Sequence, residues 1–307
     1  MKLNWRGYWV ASPTPFDSKG EVDVTSLKEL IFFYLNQKIH GIVINGSSGE
    51  WCSQTIAERK LVAEISVKAV DQKIPIVIGA SAYTAIDVIE ISKHAHSIGA
   101  TGVMITPPPY YNLTEQEILN FYQTIESQVS IPIMVYNWPR GVGVDMSESL
   151  IIQIAKLNQV AAIKESSGNE DKTYRVLKGL RDSSVDISFF ARFIHPKGAD
   201  VLKTLGGDGN IDGGGLGSKF AVKFYDAWDQ KNLGSMDENS IAYSGLVSKL
   251  MNSDYSGKFG SPISQIKACM RLLDQPGGYV RPPLMEIYDP ILLRQLGNIL
   301  VTAGLVK

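Results

Sequence analysis

Short apolar runs rich in β-branched residues recur along the chain, and between them the apolar positions switch to the three-and-four spacing of helices. The runs cover residues 8–10, 41–45, 74–79, 102–106, 131–137, 160–164, 187–190 and, less regularly, 209–212. Most lie about 30 residues apart, the length of a strand with its crossover helix. Between them, Leu27, Leu30, Ile31 and Tyr34 share one helical face, and Thr114 three residues ahead of Glu117 forms a capping box. Strands joined through helices run parallel, and eight of them bury both faces by closing into a ring. The pattern therefore predicts an α/β fold, a (β/α)8 TIM barrel over residues 1–232. A C-terminal helical extension over 233–307 follows, with helices near 237–252, 261–273 and 286–303. An open doubly wound sheet is the rival, but it carries a glycine fingerprint after its first strand. Here that position reads ASPTPF.

Composition narrows the partners. With 44% hydrophobic and 20% charged residues the chain is that of a folded protein. Thirty basic residues against 31 acidic ones leave a net charge of −1 and no basic block, so no nucleic-acid partner is expected. Two cysteines, Cys52 and Cys269, without a CxxC pair exclude a disulfide framework and point to a reducing cytoplasm. The start, MKLNWRGYWV, lacks the apolar core of a signal peptide, and no run approaches a membrane span. The expectation is a soluble, unprocessed, cytoplasmic protein with no membrane partner.

Several conspicuous features read as structural. The stretch GGDGNIDGGGLG at 206–217 fits neither GxGxxG nor a P-loop. It reads as an irregular eighth strand and tight turn, with an anion-binding loop as the alternative. His40, His94, His96 and His195 have no metal-ligand spacing, so no metal is expected. Cys52, without a basic partner, reads as a small packing residue rather than a nucleophile. Trp5, Trp9 and Trp228 read as packing, whereas Trp138 is a candidate for touching substrate.

Chemistry concentrates at predicted strand ends. VAAIKESSG places Lys164 at the end of an apolar strand, where alternation aligns it with Ala162 and Val160. Inside a barrel it would stand at the carboxyl mouth, and desolvation would leave it a free amine able to attack a carbonyl. The competing reading is a lysine paired with Glu165 at the strand end. Tyr136 ends the preceding strand and is either a proton shuttle beside that lysine or a packed aromatic. NGSSGE after the second strand, through Gly46, Ser47 and Ser48, either cradles a carboxylate or simply turns into the next helix. TPPPYYN presents Tyr110 and Tyr111 on a proline-stiffened loop at the same mouth.

Taken together, GSSGE, TPPPYYN, YNWP, IKESSG and the late PGGYVRPP resemble, in order and spacing, the dihydrodipicolinate synthase and N-acetylneuraminate lyase superfamily. The resemblance implies a barrel with a helical extension, a homotetramer, and a lysine that forms an imine with pyruvate or another 2-keto acid without a cofactor. It implies Lys164 as the imine lysine and Tyr136 as the general acid/base. Ser47 and Ser48 would be the carboxylate contact and hydroxyl relay, with Gly46 in the same loop. Tyr111, or alternatively Tyr110, would complete the relay, often from a neighbouring subunit. The backbone carbonyl of Ile211 would face the keto acid.

Two departures shape the substrate expectation. Synthases of lysine biosynthesis place an arginine two residues after the proline of YNxP, where this chain has Gly141; Arg140 stands one residue early. A guanidinium fork displaced by one residue does not generally reach the same carboxylate, leaving Arg140 a candidate substrate contact of altered reach. Arg192, Asp208 and Asp212 add charges near the seventh and eighth strands, candidates for a specificity pocket. The expected activity is aldol cleavage or condensation with pyruvate, or dehydration of a keto-deoxy sugar acid. The alternatives are 4-hydroxy-tetrahydrodipicolinate synthase and a non-catalytic barrel binding a small acid.

Overall fold

The computed structural model describes residue 3 and residues 5–252 and 254–306. Strands β1 (Gly7–Ala11), β2 (Gly41–Ile44), β3 (Ile76–Gly79) and β4 (Gly102–Ile105) are followed by β5 (Ile133–Asn137), β6 (Val160–Glu165), β7 (Ser188–Phe190) and β8 (Gly209–Gly213). Every strand pairs in parallel with its sequence neighbours, and β8 returns to β1, closing a TIM barrel with alternating helices. Each predicted strand forms within a few residues of its expected place.

Period-two alternation divides the strand side chains between two cores. Trp9, Val43, Val77, Met104, Met134, Ala162 and Phe190 fill the barrel interior. Val10, Ile42, Ile78, Val103, Val135, Ile163 and Phe189 face the helices instead. The helix face Leu27, Leu30, Ile31 and Tyr34 is buried against that outer layer, and Thr114 with Glu117 closes its capping box. One detail differs from the expected alternation. A β-bulge between β5 and β6 pairs Ile133 with Val160 but Met134 with Ala162, so Ala161 is the extra residue. Val160 consequently joins the outer core, while Ala162 and Lys164 stay on the interior side.

The helices of the extension are Leu233–Leu250, Pro262–Leu272 and Pro290–Thr302. The last begins later than expected because Asp289 caps it and Pro290 occupies its first turn. Leu246, Leu250, Ala268, Cys269, Leu296 and Leu300 form a satellite core, while Met236, Tyr243 and Met270 pack into the outer core of the barrel. The extension thus reaches over the carboxyl mouth. Among the described residues no helix is long and apolar enough to cross a membrane, and no cluster of three metal-binding side chains forms. The glycine-rich stretch is β8 followed by a turn through Gly214 and Gly215, whose φ values of 72° and 68° require glycine.

Candidate active site

A cavity of about 480 Å³ opens at the carboxyl ends of the strands, lined by Ser47, Ser48, Tyr136, Arg140, Lys164 and Ile211 among others. The structure therefore brings six of the eight predicted site residues around one space. Gly46, where an added Cβ would meet Met104 at 3.3 Å, does not line it. Tyr110 and Tyr111 do not line it either; they stand exposed, edge to face with ring centroids 5.3 Å apart.

Lys164 is 8% exposed, and its ammonium nitrogen sits 4.0 Å from the centroid of the Tyr136 ring. Strand pairing sets this approach, because Tyr136 and Lys164 are register partners across β5 and β6. The reading of Lys164 as a partner of Glu165 does not hold. Successive residues point to opposite faces, and Glu165 instead accepts from Asn137 Nδ2 at 2.8 Å and from the Ser167 amide at 2.7 Å. Asn137 Nδ2 also donates to Asp145 at 2.9 Å, and Asp145 pairs with buried Lys172. The outward residues of β5 and β6 are thus cross-linked directly behind the inward pair. Burial pulls the Lys164 amine down to about 8, with the Asp212 charge opposing the shift.

Burial likewise raises the Tyr136 phenol, with the Ser166 and Ser47 hydroxyls drawing it back. Trp138 stacks on Tyr136 at 5.8 Å with an interplanar angle of 5°. That ring also explains Gly141. A Cβ there would lie 2.0 Å from the Trp138 ring, so no side chain fits at 141 while Trp138 stacks on the tyrosine. Arg140 is exposed and donates to the Asp254 carbonyl at 3.0 Å.

Ser47–Gly49 forms a single 3-10 turn after β2. It is pinned from behind: Thr14 Oγ1 donates to the Gly49 carbonyl at 2.8 Å, and buried Glu50 lies 2.6 Å from Lys267 Nζ. Ser48 Oγ packs over Gly213, where an added Cβ would approach to 2.6 Å. The end of β2 thereby meets the end of β8 beside Ile211.

The charged candidates of β7 and β8 separate. Asp208 sits at the amino end of β8, accepts from the Phe189 amide at 2.8 Å and lies outside the cavity, so it is no specificity residue. Arg192 and Asp212 do line the cavity. Tyr243 donates to Asp212, whose carboxyl is raised by burial. Cys52 is exposed rather than packed. The histidines make ordinary contacts, His94 with Glu64 at 2.8 Å and His195 as a helix cap. Tyr243, Leu250, Met251 and Tyr255, all from the extension, complete the cavity wall and were not anticipated. They sit in segments of no strand pattern, and nothing local marks them as site residues.

A closed parallel barrel with a buried lysine and tyrosine facing a cavity at its carboxyl mouth is the architecture of an α/β-barrel enzyme. The family model of the dihydrodipicolinate synthetase family matches residues 4–295, and the chain belongs to that family, whose members are lyases. It is 30% identical over 300 residues to an uncharacterized DapA-like lyase of Rhizobium meliloti, spanning 95% of this chain and 94% of that one. It is 29% identical over 307 residues to 4-hydroxy-tetrahydrodipicolinate synthase of Clostridium perfringens strain 13, covering 99% and 100% of the two chains. Among solved structures, dihydrodipicolinate synthase of Thermotoga maritima matches with a TM-score of 0.89 at 25% identity, over 99% of this chain and 100% of that one. YagE of E. coli K12, solved in complex with pyruvate, has the same fold, with a TM-score of 0.89 at 22% identity over 99% and 100%.

Proposed function

We propose that this lyase acts on a 2-keto acid through an imine on Lys164. The observation that carries the reading is the amine itself: buried, without a carboxylate partner among the described residues, and pulled down from 10.5 to about 8, which raises the free-amine fraction at pH 7 from well under a thousandth to about a tenth. The amine attacks the ketone carbon, and loss of water gives an iminium. In cleavage, Tyr136 takes the proton of the C4 hydroxyl as the C3–C4 bond breaks. An aldehyde leaves, and the bond electrons enter the iminium as an enamine. Protonation at C3 and hydrolysis then release pyruvate; condensation is the reverse. In dehydration the C3 proton is removed and the C4 hydroxyl departs as water.

Ser47 and Ser48, with the amides of the turn after Gly46, hold the keto-acid carboxylate, and the Ile211 carbonyl faces it. Ser48 and Tyr111 relay protons from Tyr136. Since Tyr111 is exposed on its own chain, this role requires a neighbouring subunit, in keeping with a homotetramer. Two free cysteines suit a reducing cytoplasm. Residues 233–307 extend the barrel rather than form a separate domain.

The substrate favoured is a hydroxylated 2-keto acid of the keto-deoxy sugar acid type rather than the lysine-pathway pair. Gly141 is the reason, since Trp138 fills the space an arginine there would need. Incubation with pyruvate and borohydride should leave one reduced adduct per chain on Lys164. An unmodified Lys164 peptide would end the imine reading, and saturable binding without adduct would favour a binding protein.

A further inference from the structure

We infer that Arg192 is a specificity-determining residue that binds an acid group at the far end of the substrate, so that the preferred 2-keto acid is a diacid. The inference rests on the Lys164 imine reading and adds the chemical class of the distal group.

The position follows from strand register. Phe190 pairs with Lys164 across β7 and β6, and Phe190 lies in the barrel interior. Two residues further on, Arg192 returns to the same side, while Phe193 packs outward into the core between strands and helices. Arg192 lies two residues beyond the end of β7, and two extended residues reach at most about 7 Å past the Lys164 level toward the mouth. A keto diacid of about six carbons, at about 1.5 Å per bond, spans that gap from an imine on Lys164.

The charge state of the wall points the same way. Among the described residues two arginines line the cavity, and the exposed one, Arg140, donates to the Asp254 carbonyl. Arg192 is half-buried, makes no ion pair among the described residues, and has its guanidinium carbon 5.3 Å from the centroid of the Tyr255 ring. A phenol ring braces a guanidinium without neutralising it. Asp212, whose charge acts on Arg192 across the wall without a contact pair, also receives the Tyr243 hydroxyl. The Tyr255 hydroxyl takes one hydrogen bond from Arg192, but no carboxylate among the described residues pairs with its guanidinium, and a substrate carboxylate accepts two parallel hydrogen bonds from such a fork. Leu246, Leu250 and Met251 make part of the extension's wall apolar and offer an acid nothing.

The competing occupant is an uncharged tail lying on those three side chains, and the two predict opposite orders of affinity. The test uses borohydride trapping on Lys164 as a function of concentration with three probes: pyruvate, 2-oxohexanoate and 2-oxoadipate. On the intact enzyme, 2-oxoadipate should half-saturate trapping at a concentration about 10- to 100-fold below 2-oxohexanoate, the range of a charge-assisted bidentate contact. Arg192→Met should erase that difference and leave pyruvate trapping unchanged. Arg192→Lys should restore part of it, because a lysine keeps the charge without the fork. Equal affinity for the two six-carbon acids, tighter binding of 2-oxohexanoate, or an equal loss of pyruvate trapping in Arg192→Met would overturn the assignment while leaving the imine intact. No adduct with any probe would remove the imine reading, and this inference with it.

Discussion

Two buried lysines in this molecule have opposite surroundings. Lys267, on the helix Pro262–Leu272, is fully buried, donates to the carbonyls of Thr14 at 2.7 Å and Tyr279 at 2.5 Å, and lies 2.6 Å from Glu50. Three acceptors surround its three protons, so the group is at home as an ammonium. Lys164 has an aromatic face on one side and an open cavity on the other. Both amines are pulled down by burial, but at Lys267 the Glu50 carboxylate opposes the shift directly, whereas at Lys164 the opposing Asp212 charge makes no contact pair. Burial alone therefore does not set the character of a lysine; what differs is whether acceptors for its protons are buried with it. The first lysine ties the extension to the loop that carries Ser47 and Ser48, and the second is left facing the cavity.

The sharpest way to break this contrast is to remove each amine in turn. Lys164→Ala should lower turnover by about 10⁴- to 10⁶-fold, the scale seen when a nucleophile is deleted, with an unchanged or higher thermal midpoint. Appreciable turnover in that variant would assign the chemistry elsewhere. Tyr136→Phe should reduce kcat by about 10²- to 10⁴-fold while pyruvate trapping on Lys164 persists, since the phenol moves protons but does not form the bond. Equal loss of trapping and turnover would make Tyr136 a packing residue.

Lys267→Met should act on stability. It leaves Glu50 charged and unpaired in the interior, at a cost of about 3–5 kcal/mol read from denaturant midpoints. Glu50→Gln in the same background should recover part of that loss, which a purely steric effect of the introduced methionine would not allow. The smallest effect concerns pH. Lys164 is lowered from 10.5 to about 8, so between those values the unfolded chain holds a proton that the folded one has released. Stability should accordingly rise with pH across that window, and the Lys164 contribution to the slope should vanish in Lys164→Met. A wild-type slope identical to that of the variant would mean that the amine is not desolvated.

Much of this could be read without coordinates. The eight strands repeat a local pattern, and closure follows because parallel strands buried on both faces have few other ways to satisfy their edges. Lys164, Tyr136 and the Ser47–Ser48 turn each sit immediately after or at the end of a strand, so knowing the strands placed them at one mouth. Alternation misled at Val160, because a bulge is a single extra residue with no signature in a run of small apolar side chains. Asp208 misled in another way: its charge is visible in sequence, but which end of β8 it occupies decides whether it meets the cavity.

What one-dimensional pattern determined, then, is the barrel, the strand ends and the placing of Lys164 and Tyr136 on neighbouring ones, since these depend on period and on neighbours a few residues away. Only the folded chain decided which acids and bases meet. It separated Glu165 from Lys164, set Trp138 in the space beside Gly141, brought Glu50 to Lys267 over more than 200 residues of chain, and lowered Tyr243 and Tyr255 onto the mouth beside Arg192. Such contacts depend on solvent exclusion and on approach between distant segments, and neither quantity is carried by the order of residues alone.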